Sequence, residues 1–349
     1  MASKKEKGDS VAGKRSRVTI MDVAQRANVD QAVVSKVLRN DPGLRVRDET
    51  RQRVIDIASQ LRYSPNIYAR NLATARTGAF GLLVPDFRNP LNAEIIAGAE
   101  AVATERDLLL WTASSDGYGS EQYAAVVNGG LVDALLIAGV RTDEPLRDLV
   151  TAAQIPTLLV NRRSPDADRW VILEDQRAAS LATDHLIALG HRKIGFVGGP
   201  TWADNATRRM EGFRASMEAA NIELDERLVV SGNYSSAGGA EAVKRLLARG
   251  EPPTALVVAY AIAALGAWRH LHDCGFSVPG DISIVGIHQL PLEQQRVPAL
   301  TCVRLPLRLL GRTAAQLVLD TPADEPIHAV VKDKIAVVTG GTAGPPRPR

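Results

Sequence analysis

Apolar residues near the start of the chain recur at intervals of three and four positions, which is the spacing of one face of an α-helix. Three such groups lie between residues 18 and 61. The pattern predicts three short helices whose inward faces are formed by Ile20, Val23, Ala24 and Ala27, by Val34, Val37 and Leu38, and by Val54, Ile55, Ala58 and Leu61.

The polar residues between these groups are typical of helix ends. Thr19 and Asp22 fit a capping box in its shorter, acidic form. Asn28 tolerates the left-handed conformation that ends a helix, and Asp30 is a good N-cap for the next one. Two helices joined by so short a turn predict a helix-turn-helix, although an ordinary helical hairpin with a solvated polar face fits the same spacing.

The charge distribution favours the helix-turn-helix. Residues 1–76 contain 16 Lys and Arg against 8 Asp and Glu, a net charge of +8. The whole chain carries +3, so residues 77–349 sum to −5. A basic head on an acidic body suits contact with nucleic-acid phosphates. Residues 1–17 are basic and poor in apolar side chains, which predicts a disordered arm that serves either solubility or DNA contact.

The outward residues of the second helix are the candidate base readers, because this geometry places them against base edges in the major groove. They are Gln31, Ala32, Ser35 and Lys36. A Gln pairs with adenine and a Lys donates to guanine, each contributing roughly 1–3 kcal/mol of discrimination. The candidate contacts to the DNA backbone, which position the head without specifying sequence, are Thr19, Arg47, Arg51 and Arg70.

Beyond residue 77, apolar runs alternate with amphipathic stretches. The predicted strands are Ala79–Pro85, Asp107–Ala113, Val132–Ala138, Pro156–Asn161, Arg192–Gly199, Glu226–Ser231, Thr254–Ala259 and Ile282–Ile287. The predicted helices are Leu91–Arg106, Ala178–Leu189, Arg208–Ala220, Gly238–Ala248 and Ala261–Cys274. This alternation predicts parallel sheets covered on both faces. A stretch of about 270 residues is long for one sheet, so two α/β lobes are expected.

Other classes of protein lack support in the sequence. No Gly-rich phosphate-binding motif follows a strand, no nucleophile–base pair is apparent, and the six histidines form no paired metal signature. We therefore expect neither enzyme activity, nor a cofactor, nor a metal site. The charged start lacks a signal-peptide pattern and no run of about 18 apolar residues occurs. Together with two widely spaced cysteines, this predicts a cytoplasmic, nucleoid-associated protein without a membrane partner and argues against a secreted solute-binding protein.

Three segments carry a family resemblance: VTIMDVAQRANVDQAVVSKVL from residue 18, ETRQRVIDIASQLRYSPNIYARNLATARTGAFGLLVPDFRNP, and GHRKIGFVGGP. In order and spacing they resemble the lactose-repressor (LacI/GalR) family of bacterial transcription regulators. The resemblance implies that Gln31, Ala32 and Lys36 read bases. It also implies a hinge helix over 65–73 that enters the minor groove through Asn66 and Ala69, with Leu72 wedged between base pairs to bend the DNA.

The head departs from the family pattern at four positions. Val33 replaces the usual Thr, Lys36 the usual Arg, Arg39 the usual Asn and Arg47 the usual Ser. Lys36 keeps the positive charge but loses the planar fork of arginine. An operator that differs from the commonest family sites is therefore consistent with the sequence.

The fold class expected from pattern and resemblance is an all-α helix-turn-helix DNA-binding head followed by a periplasmic-binding-protein-like α/β core of two lobes with parallel sheets. The expected divisions are an arm at 1–17, the head at 18–64, the hinge at 65–77, the core at 78–340 and a flexible tail at 341–349. The N-lobe is expected at 78–174 and 302–323, and the C-lobe at 175–290 and 327–340. The chain would then cross between lobes near 172–175, 290–301 and 324–327.

A ligand in such a core lies beyond the carboxyl ends of the strands. Those ends supply the effector candidates Asp86, Phe87, Asn161, Trp202, Tyr260 and His288. Arg209 joins them because the family's Arg-x-x-Gly-Phe arginine contacts the effector. Ala261 and His288 stand where the family usually carries Asp, and Leu91 replaces the usual Phe of Asn-Pro-Phe. A neutral sugar is thus less favoured than usual, and an aromatic, anionic or modified-sugar ligand, or no ligand, stays open.

These features predict a dimeric regulator, most simply a repressor, that binds a pseudo-palindromic operator in double-stranded DNA. A small molecule in the cleft between the lobes would control its DNA affinity. The alternative is an effector-independent architectural DNA-binding regulator with the same head and a non-binding core.

Overall fold

A computed structural model describes residues 18–63, 76–114, 130–138, 155–165, 167–290 and 298–347. The chain divides into two compact units, residues 1–75 and 76–349. The predicted arm at 1–17 and the hinge candidates Asn66, Ala69, Arg70 and Leu72 lie outside the described residues, so their roles remain predictions.

The head contains three helices with the predicted ends: α1 (Ile20–Ala27), α2 (Gln31–Leu38) and α3 (Asp48–Gln60). The capping box is present, since the Thr19 amide donates to Asp22 Oδ2 over 2.7 Å and the Asp22 amide donates to Thr19 Oγ1. Asn28 ends α1 in the left-handed conformation with φ 52°. Asp30 caps α2 by accepting from the Ala32 amide at 2.7 Å.

The inward face of α3 differs from the prediction at one residue. Ile55 was expected inside but is 41% exposed, whereas Val54 and Ala58 are buried and Ile57 and Leu61 pack against them. A residue one position after Val54 is turned by about 100° around the helix, so Ile55 leaves the buried face. The apolar core of the head is otherwise the predicted one.

The core contains two six-stranded sheets. The first has the order β11-β5-β4-β3-β1-β2 and is parallel throughout. The second has the order β12-β10-β9-β8-β6-β7 and is parallel except for β12. The strands are β1 (Ala79–Val84), β2 (Leu109–Ser114), β3 (Leu135–Ala138), β4 (Thr157–Val160), β5 (Arg169–Leu173), β6 (Ile194–Gly198), β7 (Val229–Ser231), β8 (Ala255–Val258), β9 (Ser283–Ile287), β10 (Thr301–Arg304), β11 (Ile327–Val331) and β12 (Ala336–Val338).

Six described helices cover these sheets in three packed pairs, α4 with α9, α5 with α6, and α7 with α8. They are α4 (Pro90–Glu105), α5 (Asp175–Ala188), α6 (Asp204–Ala219), α7 (Ser236–Leu247), α8 (Ala261–Asp273) and α9 (Leu307–Asp320). Every predicted strand and helix of the core is present with shifted ends. The predicted strand over 226–231 begins as a 3₁₀ turn, Glu226–Leu228, before β7.

Two of the three predicted crossings between lobes are misplaced. The first is correct, since β5 belongs to the first sheet and α5 packs on the second lobe. β10 pairs with β9 in the second sheet, so the chain next crosses after residue 304 rather than near 290–301. β11 pairs with β5 in the first sheet, so the last crossing follows residue 331 rather than 324–327. Which lobe a strand joins depends on distant partners that local pattern does not specify.

The segment predicted as a flexible tail from residue 341 is packed onto the second lobe as far as residue 347. Thr342 is fully buried, donates through Oγ1 to Ile284 O at 2.8 Å and accepts the Ile284 amide. The Gly344 amide donates to Ser283 Oγ at 3.1 Å. The polar and proline-rich composition suggested a loose end, but its backbone continues the hydrogen bonding of the sheet.

Candidate DNA-binding surface and inter-lobe cleft

The outward face of α2 presents the predicted base readers opposite its buried residues Val34 and Val37. Gln31, Ala32 and Lys36 are exposed and Ser35 is half-buried. Because the capping bond of Asp30 fixes the start of the helix, these side chains lie together on its first two turns. The head therefore has the geometry of a recognition helix.

Arg39 is a residue of this surface that the sequence had marked only as a departure. Its Nη2 donates to Ser35 Oγ at 2.7 Å, and its Nε donates to Ser35 O at 3.1 Å. The hydroxyl of Ser35 is thus already an acceptor within the head. The spacing of four residues on one helix was the signal that would have predicted this pair.

The candidate backbone contacts differ in how freely they are held. Thr19 is engaged in the capping box, whose amide and hydroxyl donors lower the pKa of Asp22. Arg47 is exposed and makes no side-chain cap to α3. Arg51 donates weakly to Leu44 O at 3.4 Å, and Arg53 ties α3 to the end of α1 through Ala27 O at 3.1 Å.

In the core, the structure brings Arg209, Tyr260 and His288 together in the second lobe. Arg209 is fully buried. Its Nε donates to Asp175 Oδ1 at 2.8 Å, its Nη1 to Ala259 O and its Nη2 to His288 Nε2 at 2.7 Å. Burial lowers the pKa of Arg209, but the charge of Asp175 more than offsets it and the net shift is upward. Protein groups therefore engage all three nitrogens of this expected ligand-binding arginine.

His288 occupies the position of the family aspartate and is 1% exposed. Burial and the adjacent charge of Arg209 hold the pKa of His288 well below its usual range. The ring is neutral, and because Nε2 accepts from Arg209, the proton belongs on Nδ1. Nδ1 is buried without a hydrogen-bond partner among the described residues. The backbone of His288 is left-handed, with φ 74°.

An aromatic cluster adjoins this pair. The Tyr260 ring lies 4.5 Å from the Tyr234 ring and 5.3 Å from the His288 ring, centroid to centroid. Tyr234 donates to Asn205 Oδ1 at 2.6 Å, and burial raises the pKa of both tyrosines. Sequence reasoning missed Tyr234 and Asn205, because Tyr234 follows the short strand β7 in a polar segment.

One hydrogen bond of this cluster crosses the cleft. Asn89 Nδ2, in the first lobe, donates to the Tyr260 hydroxyl at 2.7 Å. Asn89 also caps α4 through Leu91 N, so the bond connects the start of α4 to the end of β8. A second connection is formed by Arg163 of the first lobe, whose Nε donates to Asp204 Oδ1 at 3.1 Å.

The remaining effector candidates lie apart from this cluster or at its edge. The Asp86 carboxylate is paired with Arg88 at 3.0 Å, which lowers the pKa of Asp86. Asn161 is half-buried and left-handed, with φ 61°. Phe87 and Trp202 expose 51% and 44% of their surface. Among the described residues, no hydrogen bond joins Asp86 or Asn161 to Arg209.

Two further classes of feature were searched for in the described ranges. They contain no group of three or more His, Cys, Asp or Glu side chains placed to hold a metal ion. No helix in them is long and apolar enough to cross a membrane.

The three-helix head and the two-lobed core define a DNA-binding transcription regulator of the periplasmic-binding-protein-like type. Comparison with known families agrees: residues 19–66 match the family described as bacterial regulatory proteins, lacI family, and residues 183–343 match the periplasmic binding protein-like domain. The HTH-type transcriptional regulator DegA of Bacillus subtilis (strain 168) is 31% identical over 84% of this chain and 88% of its own length. The chain belongs to the LacI family.

Solved structures extend the likeness to the whole molecule. A lac repressor dimer bound to operator and the anti-inducer ONPF has a TM-score of 0.80 at 26% identity, covering 94% of this chain and all of that one. A transcriptional regulator CelR–cellobiose complex has a TM-score of 0.70 at 27% identity, covering 93% of this chain and all of that one. The relatives are transcription regulators, as the absence of catalytic motifs in the sequence suggested.

Proposed function

We propose that the protein is a cytoplasmic repressor that binds a pseudo-palindromic operator on the nucleoid as a homodimer, one head on each half-site. The observation that carries this proposal is the exposed face of α2, where Gln31, Ala32 and Lys36 lie opposite the buried Val34 and Val37. Dimer symmetry mirrored in the DNA is the usual arrangement for such heads. The operator-bound lac repressor dimer supports the same stoichiometry.

The test begins by mapping genomic binding sites and then measures affinity for a mapped site by gel shift. Gln31→Ala and Lys36→Ala should each weaken specific binding by roughly 5- to 150-fold, the equivalent of about 1–3 kcal/mol per base contact. Gln60→Ala, exposed at the far end of α3, is the control and should change nothing. Equal losses on the mapped site and on random DNA would contradict base reading.

The hinge helix over 65–73 is a separate part of the proposal and rests on the sequence alone. Leu72→Ala should reduce bending of the operator and weaken specific binding while leaving non-specific binding intact, because a leucine wedge acts by unstacking one base step. FRET between dyes at the operator ends measures the bend. A bend unchanged by Leu72→Ala would remove the wedge from the mechanism.

We further propose that a small molecule in the inter-lobe cleft controls DNA affinity. CelR was solved with cellobiose and the lac repressor with ONPF. In this chain Ala261 and His288 replace the carboxylates that accept charge-assisted hydrogen bonds from sugar hydroxyls. A ligand that accepts a hydrogen bond from His288 Nδ1 and stacks on Tyr260 suits the site better than a neutral sugar.

One observation favours the second candidate, an effector-independent DNA-binding regulator. The protein's own groups engage every nitrogen of Arg209 and link the lobes from Asn89 to Tyr260. Native mass spectrometry and calorimetry against a broad metabolite set separate the two candidates. A compound that binds and shifts operator affinity supports effector control, whereas none across the set supports the second candidate.

A further inference from the structure

A cavity of about 510 Å³ lies at the first crossing between the lobes, outside the aromatic cluster of the cleft. Its apolar wall is formed by Ile172 and Leu173 of β5 and by Val330 of β11, and its polar wall by the first turn of α5. None of Arg209, Tyr260 and His288 lines it. The volume lies in the range of ordinary small-molecule sites, roughly 300–1,000 Å³.

Three guanidinium groups face this space, from Arg163, Arg177 and Arg208. The two acidic residues in the lining offset them only in part. Asp175 is fully buried, with one oxygen 2.6 Å from Arg208 Nη1 and the other bonded to Arg209. Glu174 makes one long contact to Arg177, at 3.5 Å. The charge that a ligand meets in this cavity is therefore positive.

Arg208 supplies the most specific indication of a ligand. Only 5% of this residue is exposed. Its Nε donates to Asp204 Oδ2 at 3.0 Å and its Nη1 to Leu173 O at 2.8 Å. Its Nη2 is buried with no hydrogen-bond partner among the described residues. A buried charged donor without an acceptor is costly, so this nitrogen marks a place for an acceptor.

The start of α5 adds further donors at the same place. Its N-cap, Glu174, makes no side-chain capping bond. The first amides of a helix have no intrahelical acceptor, and the residues that carry them, Asp175, Gln176 and Arg177, line the cavity. Helix N-termini bind phosphate through such amides, and guanidinium groups match phosphate oxygens with paired bonds.

We propose that this cavity binds a small phosphate monoester. The phosphoryl group lies against Arg208 Nη2, Arg177 and the first amides of α5, and an apolar or ring portion rests on Ile172 and Val330. Asp175 shares one oxygen with Arg208 at the cavity and the other with Arg209 at the cleft. Occupation of the cavity is thereby coupled to the cleft and, through the proposed function, to operator affinity.

Binding is tested first without DNA, by isothermal titration of the full chain with phenyl phosphate. Inorganic phosphate and benzoate are the comparison probes, because they separate the phosphoryl group from the ring and from a carboxylate. We expect one site per chain, with phenyl phosphate binding at least about tenfold more tightly than either comparison probe. Benzoate binding as tightly as phenyl phosphate overturns the assignment to a phosphate.

Substitutions at exposed lining residues locate the site without disturbing the buried ion pairs. Arg177→Ala and Val330→Asp should each weaken phenyl phosphate binding by about tenfold or more, since a charge-assisted bond is worth 1.5–3 kcal/mol and 1.4 kcal/mol is tenfold. Arg269→Ala, an exposed arginine of α8 outside the cavity, is the matched control and should bind normally. Equal affinity in all three variants, or no binding to the unaltered chain, overturns the proposal.

The coupling has its own readout. His288→Asn alters the cleft and should leave phenyl phosphate binding within about twofold, which separates this site from the proposed effector site. Operator affinity is then measured with and without saturating phenyl phosphate. A shift in the unaltered chain that is absent in Arg177→Ala supports the coupling, and no shift overturns the coupling while the binding result stands on its own.

Discussion

His288 illustrates how one substitution changes the chemistry of a buried site. An aspartate at this position would carry a negative charge beside Arg209, whereas the neutral imidazole offers only a lone pair at 2.7 Å. Asp175 is left as the anion that neutralises the Arg209 guanidinium. The residue also adopts φ 74°, which Asn tolerates better than most side chains.

We predict that His288→Asn flattens the pH dependence of stability. Above about pH 6.5 the ring is neutral in both the folded and the unfolded chain, so its contribution is fully present. As the pH falls below that value, only the unfolded state gains the proton, and stability declines by about 1.4 kcal/mol per pH unit. Asn does not titrate, and its Oδ1 accepts from Arg209 in the same way.

Urea unfolding at pH 7.5 and pH 5 measures this effect. The unaltered chain should lose about 2 kcal/mol more than His288→Asn between the two values. Burial also lowers the pKa of His185 and His191, but both are present in the two proteins and cancel in the comparison. Identical losses in the two proteins would show that His288 is protonated in the folded chain.

Close helix packing determines the shape of the first lobe at the scale of its elements. The helices α4 and α9 touch at two glycines. A Cβ atom at Gly98 would lie 2.0 Å from Arg308 O, and one at Gly311 would lie 2.0 Å from Ile95 O. Both clashes involve backbone atoms, so no side-chain rotation relieves them.

We predict that Gly311→Ala destabilises the core by about 1–3 kcal/mol, because the two helices must separate and the neighbouring contacts loosen. Gln316→Ala on the same helix is the control, and its effect should stay within about 0.5 kcal/mol. Thermal and urea unfolding measure both. A Gly311→Ala protein as stable as the control would mean that the helices move apart at no cost.

The same elements show how far sequence pattern predicts structure. The head and strands such as β1, β6 and β8 were predicted well because their apolar runs and caps are local signals. β10 and β11 were missed because each is short and β11 alternates exposed with buried residues at a sheet edge. The site was predicted in part: Arg209, Tyr260 and His288 converge as expected, but the pairing of Arg209 with protein groups depends on Asp175, from another helix.

At the scale of the whole core, two polar bonds link the lobes across the cleft. One is from Asn89 to Tyr260, and the other is from Arg163 to Asp204, which also accepts from Arg208. Both join an element of the first lobe to one of the second. A change in lobe separation must therefore break or lengthen these bonds, which gives the protein an internal contribution to closure.

We predict that Tyr260→Phe loosens the two lobes. The change removes the acceptor of Asn89 and keeps the ring that packs on Tyr234. A neutral hydrogen bond contributes about 1 kcal/mol, so the ratio of separated to joined lobes should rise about fivefold. Hydrogen exchange of the first turn of α4 and small-angle X-ray scattering of the full chain measure the separation.

Tyr234→Phe is the matched control, because it removes a hydroxyl bonded to Asn205 within the second lobe and leaves the bond between the lobes intact. Equal exchange in the two variants would show that Tyr260 does not hold the lobes together. The same free energy limits any effect on DNA. A conformational change shifts an equilibrium by no more than its differential free energy, so Tyr260→Phe should alter operator affinity by about fivefold at most. A larger change would require Tyr260 to act on the DNA-binding head by a route other than lobe closure.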